Sequence, residues 1–429
     1  MRLVLAFTFV IVSLQAVAQL ASGPMLGYCE MKEALVWIQT HDSQSVSLVY
    51  NTPEGDQISM PEVITKAETG FTHKFILSPL EPGTTYEYQI EINGVSLPRK
   101  YTLTTQKLWQ HREDPPNFSF VAGSCSYINE PKYDRPGPGY GQSLEIFNKI
   151  DSVQPDMMLW LGDNIYLREP DWTSFTGFLH RYTHMRSQPE LQNLLSRCPH
   201  FAIWDDHDYG PNDACRSYVH KDWSFEAFKL FWGNPSFGLP DHHGITTQFQ
   251  FNDAEFFLLD NRYHRTEINV QNQDQWVYGP EQVEWLIEAL TFSKAPFKFV
   301  ATGGQFVSNF KKYENHARFE MERKYIIKRI KEEGITGVIF LSGDRHSTEL
   351  SMLGLKKGNK IYDLTCSPLT SKAYDHSNEP NKHRLEGTHV GTQNFAQISI
   401  TGKRKERVCT IQIYNAKGQL KWSQEIPEW

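Results

Sequence analysis

Met157-Met158-Leu159-Trp160-Leu161-Gly162-Asp163-Asn164-Ile165-Tyr166 joins five consecutive apolar residues to a glycine turn, then to an aspartate and a tyrosine three positions apart. The apolar run has the length of a strand buried on both faces, and the glycine ends it abruptly. Three other stretches share this pattern. Residues 118–122 lead into Gly123-Ser124-Cys125-Ser126, residues 201–204 into Asp205-Asp206-His207-Asp208, and residues 337–341 into Gly343-Asp344-Arg345-His346. In open α/β sheets, ligands bind in the crevice beyond the carboxyl ends of the strands. Four such ends carrying Cys, Asp, Tyr, Asn and His point to one convergent site, and a metal-dependent enzyme is the expectation.

Each end alone has an ordinary explanation. Asp163 suits an Asx-turn, with Tyr166 an interface side chain. Asp344 and His346 are common turn residues. The run 205–208 is harder to dismiss, because three carboxylates within four residues repel unless a cation or strong donors compensate. Cys125 and Tyr166 sharpen the chemistry further. A phenol titrates near ~10 and a thiol near ~8.5, so both need a strong Lewis acid to bind as anions. Thiolate, phenolate, carboxylate and imidazole together favour a transition metal, with Fe(III) the best fit, over Mg(II) or Ca(II), which prefer oxygen shells. An all-carboxylate neighbour is where a calcium would go.

The succession G-S-C-S, G-D-N-I-Y, W-D-D-H-D-Y-G-P-N-D, L-D-N-R-Y-H-R and S-G-D-R-H-S, spread from about residue 118 to 370, resembles the PhoD-type alkaline phosphatases, a branch of the calcineurin-like metallophosphoesterases. The resemblance implies an α/β fold, a four-layer αββα metallophosphoesterase sandwich preceded by an N-terminal fibronectin-III-like β-sandwich. It implies that Cys125, Asp163, Tyr166 and His346 hold a ferric ion (Fe3+). Asp163 would bridge to calcium (Ca2+), with Asp344 and Asn212 as calcium-side ligands. Asp205, Asp206 and His207 match a motif around the substrate phosphate and the metals. The implied reaction is hydrolysis of a phosphoester by a hydroxide or oxide nucleophile activated at an iron–calcium cluster.

Two further roles follow from residue chemistry. Arg262 ends another strand at the same edge; it can bind a phosphate oxygen bidentately or make a structural salt bridge. His207 can steer the nucleophile, protonate the leaving group, or serve as a ligand. Gly303-Gly304-Gln305 lets backbone approach the cleft, but it lacks the lysine and helix of a phosphate loop. Phosphate-ester small molecules, phosphodiester polymers or lipids are the expected substrates. A phospholipase-like or nucleotide-specific phosphodiesterase is the alternative on the same scaffold. A non-catalytic cell-surface binding protein is a third reading, against which the intact ligand set argues.

The chain of 429 residues has room for two or three domains, and 39% hydrophobic with 22% charged residues excludes disorder. A net charge of −7 argues against nucleic-acid recognition, which needs a basic surface. The run 403–407 is basic but reads as a solvated hairpin turn. Met1-Arg2, the apolar run 3–14 and Ala16-Val17-Ala18 describe a secretory signal peptide, residues 1–18. The mature protein is then secreted, to periplasm or medium, with no transmembrane segment. Export invites pairing of the six cysteines. Cys198 and Cys215 are the expected bridge; Cys29, Cys366 and Cys409 read as small buried hydrophobes.

Residues 23–106 read as an all-β module with strands at 34–39, 46–50, 72–77 and 86–92 and a tight turn at Asn93-Gly94. A polar linker with Pro115-Pro116 leads to a catalytic domain, 118–429. There the apolar spacing predicts helices over 142–150, 281–290 and 318–333. Strands are predicted at 256–260, 299–301 and 360–365, with a β-rich tail over 396–426.

Overall fold

The computed structural model describes residues 20–429; the expected signal peptide lies outside them. The N-terminal module contains β1 (Leu20–Cys29), β2 (Ala34–Thr40), β3 (Ser45–Asn51), β4 (Gln57–Ser59), β5 (Val63–Ile64), β6 (Thr72–Leu77), β7 (Thr85–Ile92) and β8 (Val95–Thr104). Alternation drives these strands: Tyr86, Tyr88, Ile90 and Ile92 of β7 point inward while the residues between them do not. One sheet runs β1-β2-β6 and the other β4-β3-β7-β8, with β5 beside β3. Leu26, Val36, Ile38, Leu48, Phe75 and Ile90 fill the space between them. Asn93 and Gly94 both take positive φ (52° and 75°), forming the two-residue turn between β7 and β8. The Tyr86 hydroxyl accepts the Glu81 N–H at 2.7 Å, fixing the corner that precedes β7. Strand β1 already includes residues 20–22, ahead of residue 23.

The larger part opens with β9 (Phe118–Gly123), α1 (Glu145–Ser152), β10 (Met157–Leu161), α2 (Phe175–Arg186), α3 (Gln192–Arg197) and β11 (His200–Ile203). It continues through α4 (Asp206–Tyr209), α5 (Lys221–Phe231), β12 (Thr247–Phe251), β13 (Ala254–Leu258), α6 (Pro280–Phe292), β14 (Lys298–Thr302) and α7 (Glu320–Glu332). It closes with β15 (Val338–Ser342), β16 (Glu349–Gly354), β17 (Lys360–Thr365), β18 (Asn394–Thr401), β19 (Val408–Asn415) and β20 (Leu420–Pro427). Two six-stranded sheets result, ordered β11-β10-β9-β18-β19-β20 and β12-β13-β14-β15-β17-β16. The C-terminal tail is therefore half of the first sheet, since β18 pairs antiparallel with β9, Ala396 opposite Ala122.

The sheets pack face to face. Phe120 of β9 meets Phe256 and Phe299 with ring centroids 5.2 and 5.0 Å apart, and Phe201 stacks on Phe249 at 3.9 Å. Truncating such a fully buried ring costs about 3–5 kcal/mol. On the outer face of the second sheet, Phe257, Val300 and Phe340 pack against Leu286 and Ile287 of α6 and Ile326 and Ile330 of α7. On the outer face of the first, Trp160 meets Phe147 of α1 and Trp232 after α5. Strands β9, β10 and β11 are mutually parallel, as are β13, β14, β15 and β17. Both sets of carboxyl ends emerge along one edge of the molecule.

The two parts share a packed seam. Arg186 is fully buried, its Cζ 3.9 Å from the Trp232 ring centroid and 5.7 Å from that of Trp37 in β2. The Trp37 indole donates to the Leu230 carbonyl at 2.9 Å. Met25, Tyr28, Leu35 and Trp37 thus belong to the core of the larger part.

Two expectations are corrected here. All six cysteines are free, and the Cys198–Cys215 bridge does not form. Strand β11 and helix α4 both lie between the two: Cys198 precedes the strand, whereas Cys215 follows α4. The basic run is solvated only as far as Glu406. Arg407 is 1% exposed and ion-paired with Asp253 at 2.8 Å. Its guanidinium also donates to the Pro116 carbonyl at 2.8 Å and to Asn117 at 2.9 Å.

Candidate metal centre

The strand ends converge because the backbone turns sharply at each. Cys125, Asp163, Asp344 and His346 have φ of 58°, 51°, 64° and 51°. The left-handed region costs a non-glycine residue roughly 1–2 kcal/mol, and such conformations gather at functional sites. The Cys125 and Ser126 amides donate to the carbonyls of Gly162 (3.2 Å) and Asp163 (2.8 Å), lacing two of the ends together. The two sheets meet at Gly343, where a Cβ would stand 2.6 Å from the Leu161 carbonyl and 2.7 Å from Ser124 Cβ. Only glycine permits that approach.

Cys125, Asp163, Tyr166 and His346 form a single cluster. The Cys125 thiol lies 3.5 Å from Asp163 Oδ2 and receives the Ser367 hydroxyl at 3.0 Å. The Tyr166 hydroxyl is 3.2 Å from Asp163 Oδ2 and 3.2 Å from His346 Nε2. His346 Nδ1 lies 2.7 Å from the Lys372 carbonyl, so it carries the proton and leaves the Nε2 lone pair facing the cluster. Burial pushes the Cys125 thiol up to about 11 and raises Asp163 and Tyr166 well above their ordinary values. A cation reverses that order, deprotonating a coordinating thiol outright.

The run 205–208 divides by direction. Asp205 is fully buried; its Oδ1 accepts from Asn261 Nδ2 (2.7 Å) and from Arg262 Nε (2.6 Å) and Nη2. Its Oδ2 has no partner among the described residues. Asp206 accepts the Asp213 amide at 2.8 Å. Burial alone would raise Asp206, but His207, Arg262 and that amide outweigh it and hold the carboxyl at about 2. Asp208 turns inward to the amides of Asn164 (3.0 Å) and Asp205 (3.0 Å), and burial pushes it up to about 7. It is a structural cap. The His207 ring lies 4.3 Å from the Tyr166 ring, with Nε2 4.0 Å from Asp206 Oδ2 and the backbone N–H donating to Asp163 Oδ1 at 3.3 Å.

Arg262 resolves its two readings toward the ion pair. It is 0% exposed and bridges Asp205 to Glu314, whose other cation is Arg265 at 2.8 Å. A guanidinium so enclosed is not presented to a phosphate. Asp344 Oδ2 is buried without a partner among the described residues, and burial raises that carboxyl to about 8. Asn212 is exposed at the rim, lining the clefts on both sides of the centre.

Three groups bring ligand atoms within 4.8 Å of one another: Cys125, Asp163 and His346; Asp163, Asp206 and His207; Asp205, Asp206 and Glu314. The residues fit the implied ions. The first group, with Tyr166, has soft and anionic donors suited to a transition metal, while the oxygen-only third group suits calcium. The orphaned Oδ2 atoms of Asp205 and Asp344 are acceptors awaiting a positive charge. Glu314 escaped the sequence reading, for it sits in a polar loop with no apolar strand before it.

A pair of facing sheets that delivers these donors along one edge defines the metallophosphoesterase class. Within it, the chain belongs to the PhoD-like phosphatase family, whose model matches residues 120–422. A domain of unknown function (DUF7800) matches residues 17–107. Alkaline phosphatase D of Bacillus subtilis (strain 168) is 23% identical over 335 residues, which span 66% of this chain and 55% of that relative. The solved structure of PhoD superposes with a TM-score of 0.77 at 15% identity, covering 99% of this chain and 94% of that one. Purple acid phosphatase PPD1 from yellow lupin (Lupinus luteus) seeds gives 0.69 at 12% identity, covering 94% and 74%. Both establish the likeness of fold.

Proposed function

We propose that this protein is a secreted, metal-dependent phosphoester hydrolase of the alkaline phosphatase or phosphodiesterase type, working with iron and calcium. The carrying observation is the single buried cluster of Cys125, Asp163, Tyr166 and His346. Those four would hold iron; Asp163, Asp205, Asn212 and Asp344 would face calcium, with Glu314 as a further carboxylate. Such ions supply Lewis acidity toward the phosphoryl group and its attacking oxygen. The chain's own residues prepare for that. Ser367 and Lys372 fix the Cys125 thiol and the His346 tautomer. Arg262 holds Asp205 in place as a positioning residue. Asp206 stays ionised, and His207 stands at the cleft wall, where its ring can pass a proton to a departing alkoxide.

Residues 1–18 support export as a signal peptide, and residues 118–429 form the catalytic domain. A three-strand sheet facing a five-strand sheet, with the tyrosine corner at Tyr86, supports a fibronectin-III-like sandwich for residues 23–106. Metal analysis with an absorption spectrum tests the function. A phenolate- or thiolate-to-iron band is expected that vanishes in Tyr166→Phe, together with hydrolysis of p-nitrophenyl phosphate or its bis ester. Iron-free protein that cleaves neither these esters nor nucleotides or phospholipids would overturn the reading.

A further inference from the structure

Arg168 lies two residues beyond Tyr166 and is 6% exposed. Its Nε is buried without a hydrogen-bond partner among the described residues. Its Nη2 reaches Glu169 only at 3.4 Å, and that carboxylate is half exposed and closer to Arg135, at 2.9 Å. A guanidinium carries five N–H donors in a planar fork, so Arg168 holds most of its bonding capacity in reserve. Arg168 lines a cavity of about 270 Å3 together with Tyr127, Tyr140, Tyr166, His207, Pro136 and Pro138. Tyr166 and His207 are also walls of the metal centre. Among the described residues, the one carboxylate that lines the cavity, Asp134, is already engaged by the Tyr127 hydroxyl (2.7 Å) and the Glu130 amide (2.8 Å). Nothing in the hydrolytic machinery uses this arginine.

We infer that this cavity is a second anion subsite, in which Arg168 receives a carboxylate or a further phosphate borne by the organic part of the substrate, while the phosphoester to be cleaved sits at the adjoining centre. The inference rests on the hydrolase reading. It narrows the substrate class to phosphoesters with a second anionic group on a short linker, since the aromatic and proline walls leave little room for a bulky one. A planar fork meeting a two-oxygen acceptor gives the specificity, and burial keeps the pair from being screened.

The test compares kcat/KM of the metal-loaded full chain for ethyl phosphate, 2-phosphoglycolate and propane-1,3-diol bisphosphate. The wild type should prefer one or both of the doubly anionic esters by about 10- to 100-fold, the range expected for a charge-assisted pair. The preferred ester tells whether carboxylate or phosphate is the natural occupant. Arg168→Met should bring the ratio to about one, and Arg168→Lys should restore part of it. Titration calorimetry with phosphonoacetate against ethylphosphonate reads the same preference without turnover. If no ester is cleaved, the hydrolase reading fails while the binding ratio still decides the subsite. No preference in the wild type, or a preference that survives Arg168→Met, overturns the inference.

Discussion

Replacing Arg262 with methionine separates a positioning residue from a phosphate ligand. Arg262 and Asp205 are 0% exposed and Glu314 is 6% exposed, so the substitution leaves two buried carboxylates short of their shared cation. Removing one member of a buried ionic network costs about 3–5 kcal/mol. Asn261 remains on Asp205 and Arg265 on Glu314, which places the expected loss toward the lower end of that range. Bound cations would offset part of it by supplying positive charge to the same carboxylates. Urea unfolding of Arg262→Met should therefore show a larger loss in chelator-treated protein than in metal-loaded protein. Adding Glu314→Gln should recover stability, because one uncompensated charge disappears. An unfolding midpoint that does not move, together with a tenfold or greater rise in KM for a small phosphate ester, would refute this account and return Arg262 to the phosphate.

His200 offers a pH prediction. Burial lowers its pKa from 6.5 to about 3, and the Trp160 indole donates to its Nδ1 at 3.0 Å while Nε2 meets the Leu194 carbonyl at 3.0 Å, fixing the neutral ring. The unfolded chain binds this proton below 6.5 and the folded chain does not, so stability falls as the pH drops. The loss between pH 7 and 5 is about 2 kcal/mol. His200→Asn, measured by denaturant titration at both pH values, should lack that increment, and an unchanged pH slope would count against it. Gly303→Ala would place a Cβ 2.2 Å from Asn261 Nδ2 and 2.5 Å from the Asp205 carboxyl. Overpacking there costs about 1–3 kcal/mol and shifts Asp205, so ester hydrolysis should fall even where the protein remains folded at assay temperature. Thiol titration of metal-free protein under denaturing, non-reducing conditions should count six groups, whereas a Cys198–Cys215 bridge would leave four.

The legible parts of the fold were those in which one residue pattern had one physical cause. An apolar pentad closed by glycine, as at 157–162, marks a buried strand and its ligand-bearing end. Leu286, Ile287 and Leu290 mark the inward face of α6 because its other face meets water. Helix α2 lacks that contrast. Phe178, Leu179, Arg181, Tyr182, Met185 and Arg186 are all buried, so polar and apolar residues share its inward faces and the period disappears. Arg407 misled for the same reason, since a charge completed by a distant aspartate looks like a solvated one in one dimension. Within the site, Cys125, Asp163, Tyr166 and His346 were readable because each follows a strand. The division of labour among residues 205–208 was not, for it depends on Asn261, Arg262 and Glu314, which arrive from other loops.

The seam in which Arg186 lies between Trp37 and Trp232 bears on how the protein would be dissected. A cut at the Pro115-Pro116 linker would not release an independently packed C-terminal fragment. It would strip a wall from that fragment's own interior, leaving an indole and a guanidinium facing solvent where they had faced each other and Trp37. Such a fragment should aggregate or require the missing half in trans, and calorimetry of the whole chain should show one melting transition. For this protein, the fold's smaller portion is a structural component of the whole and not cargo attached to it.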